Sequence, residues 1–252
     1  MPISTPIEYS ISDEYAKAEA ARSGGQSVVD HMVTRATKAL GVSKFRYYTT
    51  TTSGDWAGYA ADVSGQSIIV EGVNGYFYNE STCGAFCADV ASWVGVGGYN
   101  GSNLIQVGVD QTTNQAWYEL LPANAVNEFS VSNGDKMYGD VHFDFGTGHW
   151  YVLIDDQTSG TYYTSEFSYS PDQTTAEWIT ELTPGGSGDV PSFSPVNFST
   201  DTWKDSLGNN WAMVSGAATY NYQITLIATC GRITPSAPGS TEEAFTNTPT
   251  AC

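Results

Sequence analysis

Residues 174–184 read TTAEWITELTP and residues 104–110 read LIQVGVD. Each run sets one chemically capable side chain in mid-strand: Glu177 beside Trp178 and Ile179, and Gln106 between Ile105 and Val107. A carboxylate can take a proton from water and return it to a leaving group. A primary amide offers donors and an acceptor whose charge never changes with pH. Neither residue is diagnostic alone. A Gln on a strand is most often solvated, a mid-strand Glu can lie on a sheet's wet face, and Trp93, Trp117 and Trp178 are core residues by default. What matters is whether the chain brings them together.

Side chains alternate between the two faces of a strand. In LIQVGVD, Ile105, Val107 and Val109 point to the core, so Leu104, Gln106, Gly108 and Asp110 point away. In WVGVGG, Val94 and Val96 are inward, and Trp93, Gly95 and Gly97 outward. In AWYELLP, Trp117 and Glu119 share a face opposite Tyr118 and Leu120. In TTAEWITEL, Glu177, Ile179 and Glu181 share one face, opposite Ala176, Trp178 and Thr180. If these four strands are neighbours in one sheet, one face collects Trp93, Gln106, Asp110, Trp117, Glu119 and Glu177. Aromatics beside amides and carboxylates make a binding groove. On this reading Gln106 and Glu177 face solvent.

The elements that must do the positioning are β-strands. Residues 12–22 and 27–40 carry helix formers at helical spacing, with Ser12 and Ser27 as N-caps and Gly41 as a stop. From about residue 47 short alternating runs rich in Thr, Tyr, Val, Ile and Trp are separated by turn clusters such as SNGD, TSGT and GGSGD. Short strands without intervening helices predict an all-β sandwich of two packed antiparallel sheets. Alternation is only partial in VHFDF and HWYVLI, which leaves strand edges there open. The expected organisation is a helical N-terminal segment (1–50), a β-sandwich (51–234) and a Pro/Ser/Thr-rich tail (235–252) that is loose unless Cys252 ties it down.

Lys and Arg number 9 against 27 Asp and Glu, a net charge of −18 and a pI near 4.1. Such a chain repels phosphates and anionic membranes, so neither nucleic acid nor membrane is an expected partner. The imbalance is uneven: residues 1–50 hold six basic and five acidic side chains, and the remainder three and 22. Acid relieves that repulsion by protonating carboxylates near pH 4, so the composition suits acidic surroundings. Cys83, Cys87, Cys230 and Cys252 allow three pairings and complete no zinc pattern. His31, His142 and His149 are scattered, and Asn79, Asn100 and Asn197 begin glycosylation sequons.

The order of SGDWAGYA (53–60), ASWVGVGG (91–98), LIQVGVD (104–110), AWYELLP (116–122), NGDKMYGDV (133–141) and AEWITEL (176–182) resembles the glutamic peptidases, or eqolisins, over about residues 53–232. The resemblance implies a secreted, acid-acting, monomeric endopeptidase for unfolded proteins or peptides. It also implies a jelly-roll-like, concanavalin-type sandwich of two seven-stranded antiparallel sheets. The catalytic pair carries over to Gln106 and Glu177, and groove-lining residues to Trp93, Trp117 and Glu119. No metal, cofactor or covalent intermediate is implied. Residues 1–50 fall before the first motif and are expected to be a propeptide, docked by opposite charge at neutral pH and released in acid. Two departures bear on substrate preference. The family's WVGID is WVGVG here, without the groove carboxylate, and its WYEWYP is WYELLP, with Leu120 and Leu121. A carbohydrate-binding sandwich, or a glycosidase using Glu119 and Glu177 at roughly 5–10 Å, stands as the alternative reading.

Overall fold

A computed structural model describes residues 48–82, 88–182 and 188–252. The expected helices and the side chains of Cys83 and Cys87 lie outside those residues. Sixteen strands are present and no helix is found among the described residues. In chain order they are β1 (Thr49–Ser53), β2 (Trp56–Asp62), β3 (Val70–Tyr78), β4 (Val90–Val96), β5 (Ile105–Asp110), β6 (Gln115–Leu120), β7 (Val126–Ser130), β8 (Lys136–Asp144), β9 (His149–Asp156), β10 (Thr161–Phe167), β11 (Thr175–Leu182), β12 (Val196–Asp205), β13 (Asn210–Ala212), β14 (Tyr220–Ile227), β15 (Arg232–Pro235) and β16 (Ala244–Thr250), and they pair along one continuous path, β10-β9-β8-β3-β12-β16-β15-β14-β2-β11-β4-β5-β6-β7, with β1 added to β14 and β13 to β12. The path folds into two layers. In one, β8 (Lys136–Asp144) lies between β9 (His149–Asp156) and β3 (Val70–Tyr78), followed by β12 (Val196–Asp205). In the other, β2 (Trp56–Asp62), β11 (Thr175–Leu182), β4 (Val90–Val96), β5 (Ile105–Asp110) and β6 (Gln115–Leu120) lie side by side. The two sheets expected from sequence are thus two layers of a single hydrogen-bonded path.

Alternation explains the core between the layers. Val94, Val96, Ile105, Val107, Val109, Ala176 and Trp178 point inward and meet Phe77, Met137, Val141, Trp150, Val152 and Ile154 from the opposite layer. The layers come close enough that a Cβ on Gly139 of β8 would stand 2.7 Å from a Val94 methyl. Near the sheet edge, Tyr118 of β6 stacks on Tyr163 of β10 (Thr161–Phe167), with ring centroids 5.4 Å apart. The partial alternation of VHFDF and HWYVLI belongs to β8 and β9, paired from Met137↔Asp156 to Asp144↔His149.

Two regions differ from a sequence-only picture. Within 235–252, Ala244–Thr250 form β16, which pairs with β12 on one side and with β15 (Arg232–Pro235) on the other. Cys252 is joined to Cys230 by a disulfide, so the condition under which this segment is tied down is met. Asn79 is fully buried, its Nδ2 donating to Asn114 Oδ1 and to the Ser132 carbonyl at 2.9 Å each, which closes that sequon to a glycan in the folded state. Asn100 and Asn197 are exposed.

Candidate active site

The four strands sorted by period two are neighbours, in the order β11-β4-β5-β6. Their registers align the candidate side chains in rows. Glu177 is opposite Gly95, Gly95 is opposite Gln106, and Gln106 is opposite Glu119. On its other side Glu177 is opposite Ala60, which is opposite Tyr222 of β14 (Tyr220–Ile227). Two residues along, the next row reads Ile179, Trp93, Gly108, Trp117. The row after that holds Glu181 with Trp56 on one side and Ala91, Asp110 and Gln115 on the other.

Gly95 separates the two candidate catalytic residues. Adjacent strands lie about 4.8 Å apart, so the backbones of Glu177 and Gln106 are roughly 10 Å apart. A Cβ on Gly95 would sit 2.9 Å from both Gln106 Cβ and Leu104 Cδ1 and 3.0 Å from the Ile105 carbonyl oxygen, so any larger residue would press on Gln106.

The expectation that the pair faces solvent is corrected. Both side chains are on the predicted face, but Glu177 is 0% and Gln106 3% exposed, because that face carries a second apolar cluster. Ala60, Ala91, Trp93, Leu104, Trp117, Ile179 and Ile224 pack there, with Trp56, Tyr99, Leu121 and Tyr222 against them. The segment after β4 also reaches this face. Tyr99 N–H donates to Glu177 Oε1 at 3.3 Å, Asn100 Nδ2 donates to Asp62 Oδ2 at 2.8 Å, and the Tyr99 ring lies 4.8 Å from that of Tyr222. Gly97 and Gly98 make this course possible, at φ +89° and +101°. A Cβ on Gly97 would stand 2.5 Å from two carbonyl oxygens, those of Asn103 and Asp172.

Burial without enough donors sets the protonation. Burial pushes the Glu177 carboxyl well above the usual carboxylate range, with the Thr175 hydroxyl and then the Tyr99 N–H pulling the other way and Asp172 and Asp62 adding to the rise. Burial also raises Glu119, although its Oε2 accepts a hydrogen bond from Gln106 Nε2 at 2.6 Å. Gln106 Oε1 and Glu177 Oε2 are buried without a hydrogen-bond partner. Buried polar atoms left open in this way are uncommon, and here two of them belong to one strand row.

Glu181 is a further buried acid on the same face. Burial pushes it up to about 7, against hydrogen bonds from Trp93 and Trp56. Trp93 Nε1 donates to its Oε2 at 2.9 Å, and the two indoles meet edge to face at 4.9 Å. Alternation had placed Glu181 on the face of Glu177 without marking it as a site residue; that shared face was the available signal.

The other candidates divide. Trp93 and Trp117 flank Gly108, whose Cβ would stand 2.6 Å from Trp93 Cβ and 2.8 Å from a Trp117 ring carbon. Asp110 shares the face but is spent on the β5–β6 turn, where its Oδ1 accepts the N–H groups of Thr112 and Thr113 at 2.8 and 3.0 Å. Glu119 is bonded to Gln106, which with Gly95 stands between it and Glu177 in the row. Among the described residues, the grouping that brings three metal-type ligand atoms together is Asp189, Cys230 and Cys252, and its two sulfurs are joined to each other.

The fold recurs among known proteins. Residues 55–237 match the Peptidase A4 family. Among solved structures, scytalido-glutamic peptidase bound to a transition state analog inhibitor superposes with a TM-score of 0.62 at 20% identity, covering 78% of this chain and 98% of that one. SCP-B, a member of the eqolisin family in complex with the tripeptide Ala-Ile-His, gives 0.58 at 19% identity over the same shares. No curated protein matches the chain significantly.

Proposed function

The chain belongs to the Peptidase A4 family and is a hydrolase, a glutamic endopeptidase; from that premise we propose that Glu177 and Gln106 are its catalytic pair. The observation that carries the reading is their common strand row, with only the side-chain-free Gly95 between them. Ionised Glu177 takes a proton from the attacking water as the water oxygen bonds to the scissile carbonyl carbon. Gln106, neutral at every pH, hydrogen-bonds the water or the oxygen that becomes negative. Glu177 then gives the proton to the amide nitrogen as the C–N bond breaks, leaving a carboxylic acid and an amine. Trp117 and Glu119 line the peptide's path, with the fully buried Trp93 packed beneath it. The chemistry calls on no metal or covalent intermediate, so a chelator leaves activity unchanged.

Protonation of this face bounds the pH range of activity from two sides. The base-competent form of Glu177 grows as pH rises through its raised pKa, which sets the acid limb of activity. Stability falls over the same direction of pH, because buried acids such as Glu181 and Asp201 are neutral in acid and must ionise. Activity is therefore confined between these limits. The acid-rich body suits a secreted enzyme acting in acidic surroundings, with residues 1–50 as its propeptide; N-terminal sequencing after acid incubation tests that last point. The central test is hydrolysis of denatured casein by Glu177→Ala and Gln106→Ala. Each variant loses at least about 10²-fold in kcat while keeping the wild-type circular dichroism. Full activity in Glu177→Ala would overturn the assignment.

A further inference from the structure

The strand row that holds Gln106 and Glu177 continues past Glu177 on the side away from Gln106. There it passes Ala60 and reaches Tyr222. Tyr222 is the middle of three tyrosine rings: Tyr99 lies 4.8 Å from it and Tyr220 5.9 Å, with ring planes 31° apart in each pair. Tyr220, opposite Asp62 at the start of β14, is 52% exposed. The segment that carries Tyr99 is fixed on both sides of the ring. Gly97 N–H donates to the Thr175 carbonyl at 3.0 Å, and Asn100 Nδ2 donates to Asp62 Oδ2 at 2.8 Å and to Ser64 Oγ at 3.2 Å. The three rings are therefore a preformed surface, and all of them lie outside the motifs that mark the family resemblance.

We propose that Tyr99, Tyr222 and Tyr220 form a subsite for a bulky apolar side chain of the peptide, on the half of the substrate that runs from the scissile bond over Glu177 and away from Gln106. This rests on Glu177 and Gln106 being the catalytic pair. Two strand spacings separate Glu177 from Tyr222, about 10 Å, which roughly three extended residues span. Ala60 between them carries only a methyl group, so the floor of that path is low. An aromatic wall beyond a low floor takes up a side chain by ring contact and by removing apolar surface from water.

The nearby carboxylate does not turn this into a site for cations. Asp62 is 3% exposed and its oxygens are already engaged, Oδ1 by the Ser64 N–H and hydroxyl and Oδ2 by Asn100. A lysine or arginine side chain laid there meets rings but no open carboxylate, so Phe outranks it. Large apolar side chains are exposed in unfolded chains and mostly buried in folded ones, so such a subsite selects substrate that is already unfolded.

The test uses the full-length protein in acid and internally quenched peptides that carry Ala, Lys or Phe at single positions on either side of the scissile bond, with the cut located by mass spectrometry. The readout is the ratio of kcat/KM for the Phe peptide to that for the Ala peptide at each position. In Tyr220→Ala this ratio is expected to fall roughly fivefold at one position, about two to four residues from the scissile bond, and to hold on the opposite side of it. Tyr220→Phe, which keeps the ring, should hold the ratio at every position, as should Tyr162→Ala, which removes an exposed tyrosine from the other layer. Ratios that Tyr220→Ala leaves unchanged everywhere, including a uniform loss on all peptides, would overturn the subsite, as would wild-type preference for Lys over Phe at the affected position. Glu177→Ala on the same peptides separates the premises: if it cleaves them, the catalytic assignment fails; if it is inactive while Tyr220→Ala keeps every ratio, only the subsite fails.

Discussion

Carboxylates at the turns and carboxylates on the outer face of the β11-β4-β5-β6 strands receive opposite treatment. Asp156 closes the β9–β10 turn, where burial pushes its pKa up, but Ser159 Oγ and the N–H groups of Thr158 and Ser159 pull it below the usual value. Asp205 likewise collects the N–H groups of Leu207 and Asn209 and the Trp211 indole. Glu177 lies much deeper, and against that depth it has only the Thr175 hydroxyl and one long N–H contact at 3.3 Å. The difference teaches that burial alone does not set the sign of a shift. The balance of donors against depth does, and on this face depth wins, so Glu177 keeps its proton until pH rises through its raised pKa and only then is a base.

The strongest way to break the contrast is to fill the space between the pair. Gly95→Ala puts a methyl group 2.9 Å from Gln106 Cβ, on a strand that cannot move without disturbing both neighbours. Activity on a peptide substrate is expected to fall at least about 10²-fold, with stability lowered by roughly 1–3 kcal/mol. Retained kcat would mean the pair does not work across this glycine.

A sharper comparison uses pH. Glu181 is raised to about 7 from 4.5, so its contribution to stability is complete below pH about 4.5 and is lost as pH rises through 7. Urea unfolding of the wild type should therefore lose about 3 kcal/mol more between pH 4 and 8 than unfolding of Glu181→Gln. Parallel pH dependences in the two proteins would count against a face on which depth outweighs donors.

The smaller effect has the opposite sign. Asp156, lowered in the fold, contributes stability above its unfolded pKa that disappears as pH falls through its folded value. Asp156→Ala should cost about 1–3 kcal/mol at pH 6 and distinctly less at pH 2. A constant deficit would show that the turn needs the side chain's shape rather than its charge.

Much of this was legible in sequence, because a strand's alternation survives translation into three dimensions. Val94, Val107 and Trp178 went inward and Trp93, Gln106 and Glu177 outward, as period two required. The covering of that face was not legible. It comes from Tyr99 and its neighbours, in an irregular segment whose course is set by Gly97, Gly98 and contacts to distant strands. Asp110 could have been placed better from sequence, since an Asp followed by Gln-Thr-Thr-Asn is a ready acceptor for turn N–H groups. The ordering of 244–250 was hidden because a Pro/Ser/Thr-rich composition says nothing of a partner strand nearly fifty residues upstream.

The place of β16 has a consequence for how the molecule is made. It is the last of the sixteen strands to leave the ribosome, yet it sits inside the pairing order, between β12 and β15. Until it arrives, the facing edges of β12 and β15 expose unpaired backbone groups, as two separate seams open to strands of other molecules. Cotranslational folding can build the Glu177–Gln106 row early, because β2, β4, β5, β6 and β11 all precede residue 183. Closure of the whole waits for residues 244–250, and a nascent chain stalled before residue 244 is the species most exposed to aggregation.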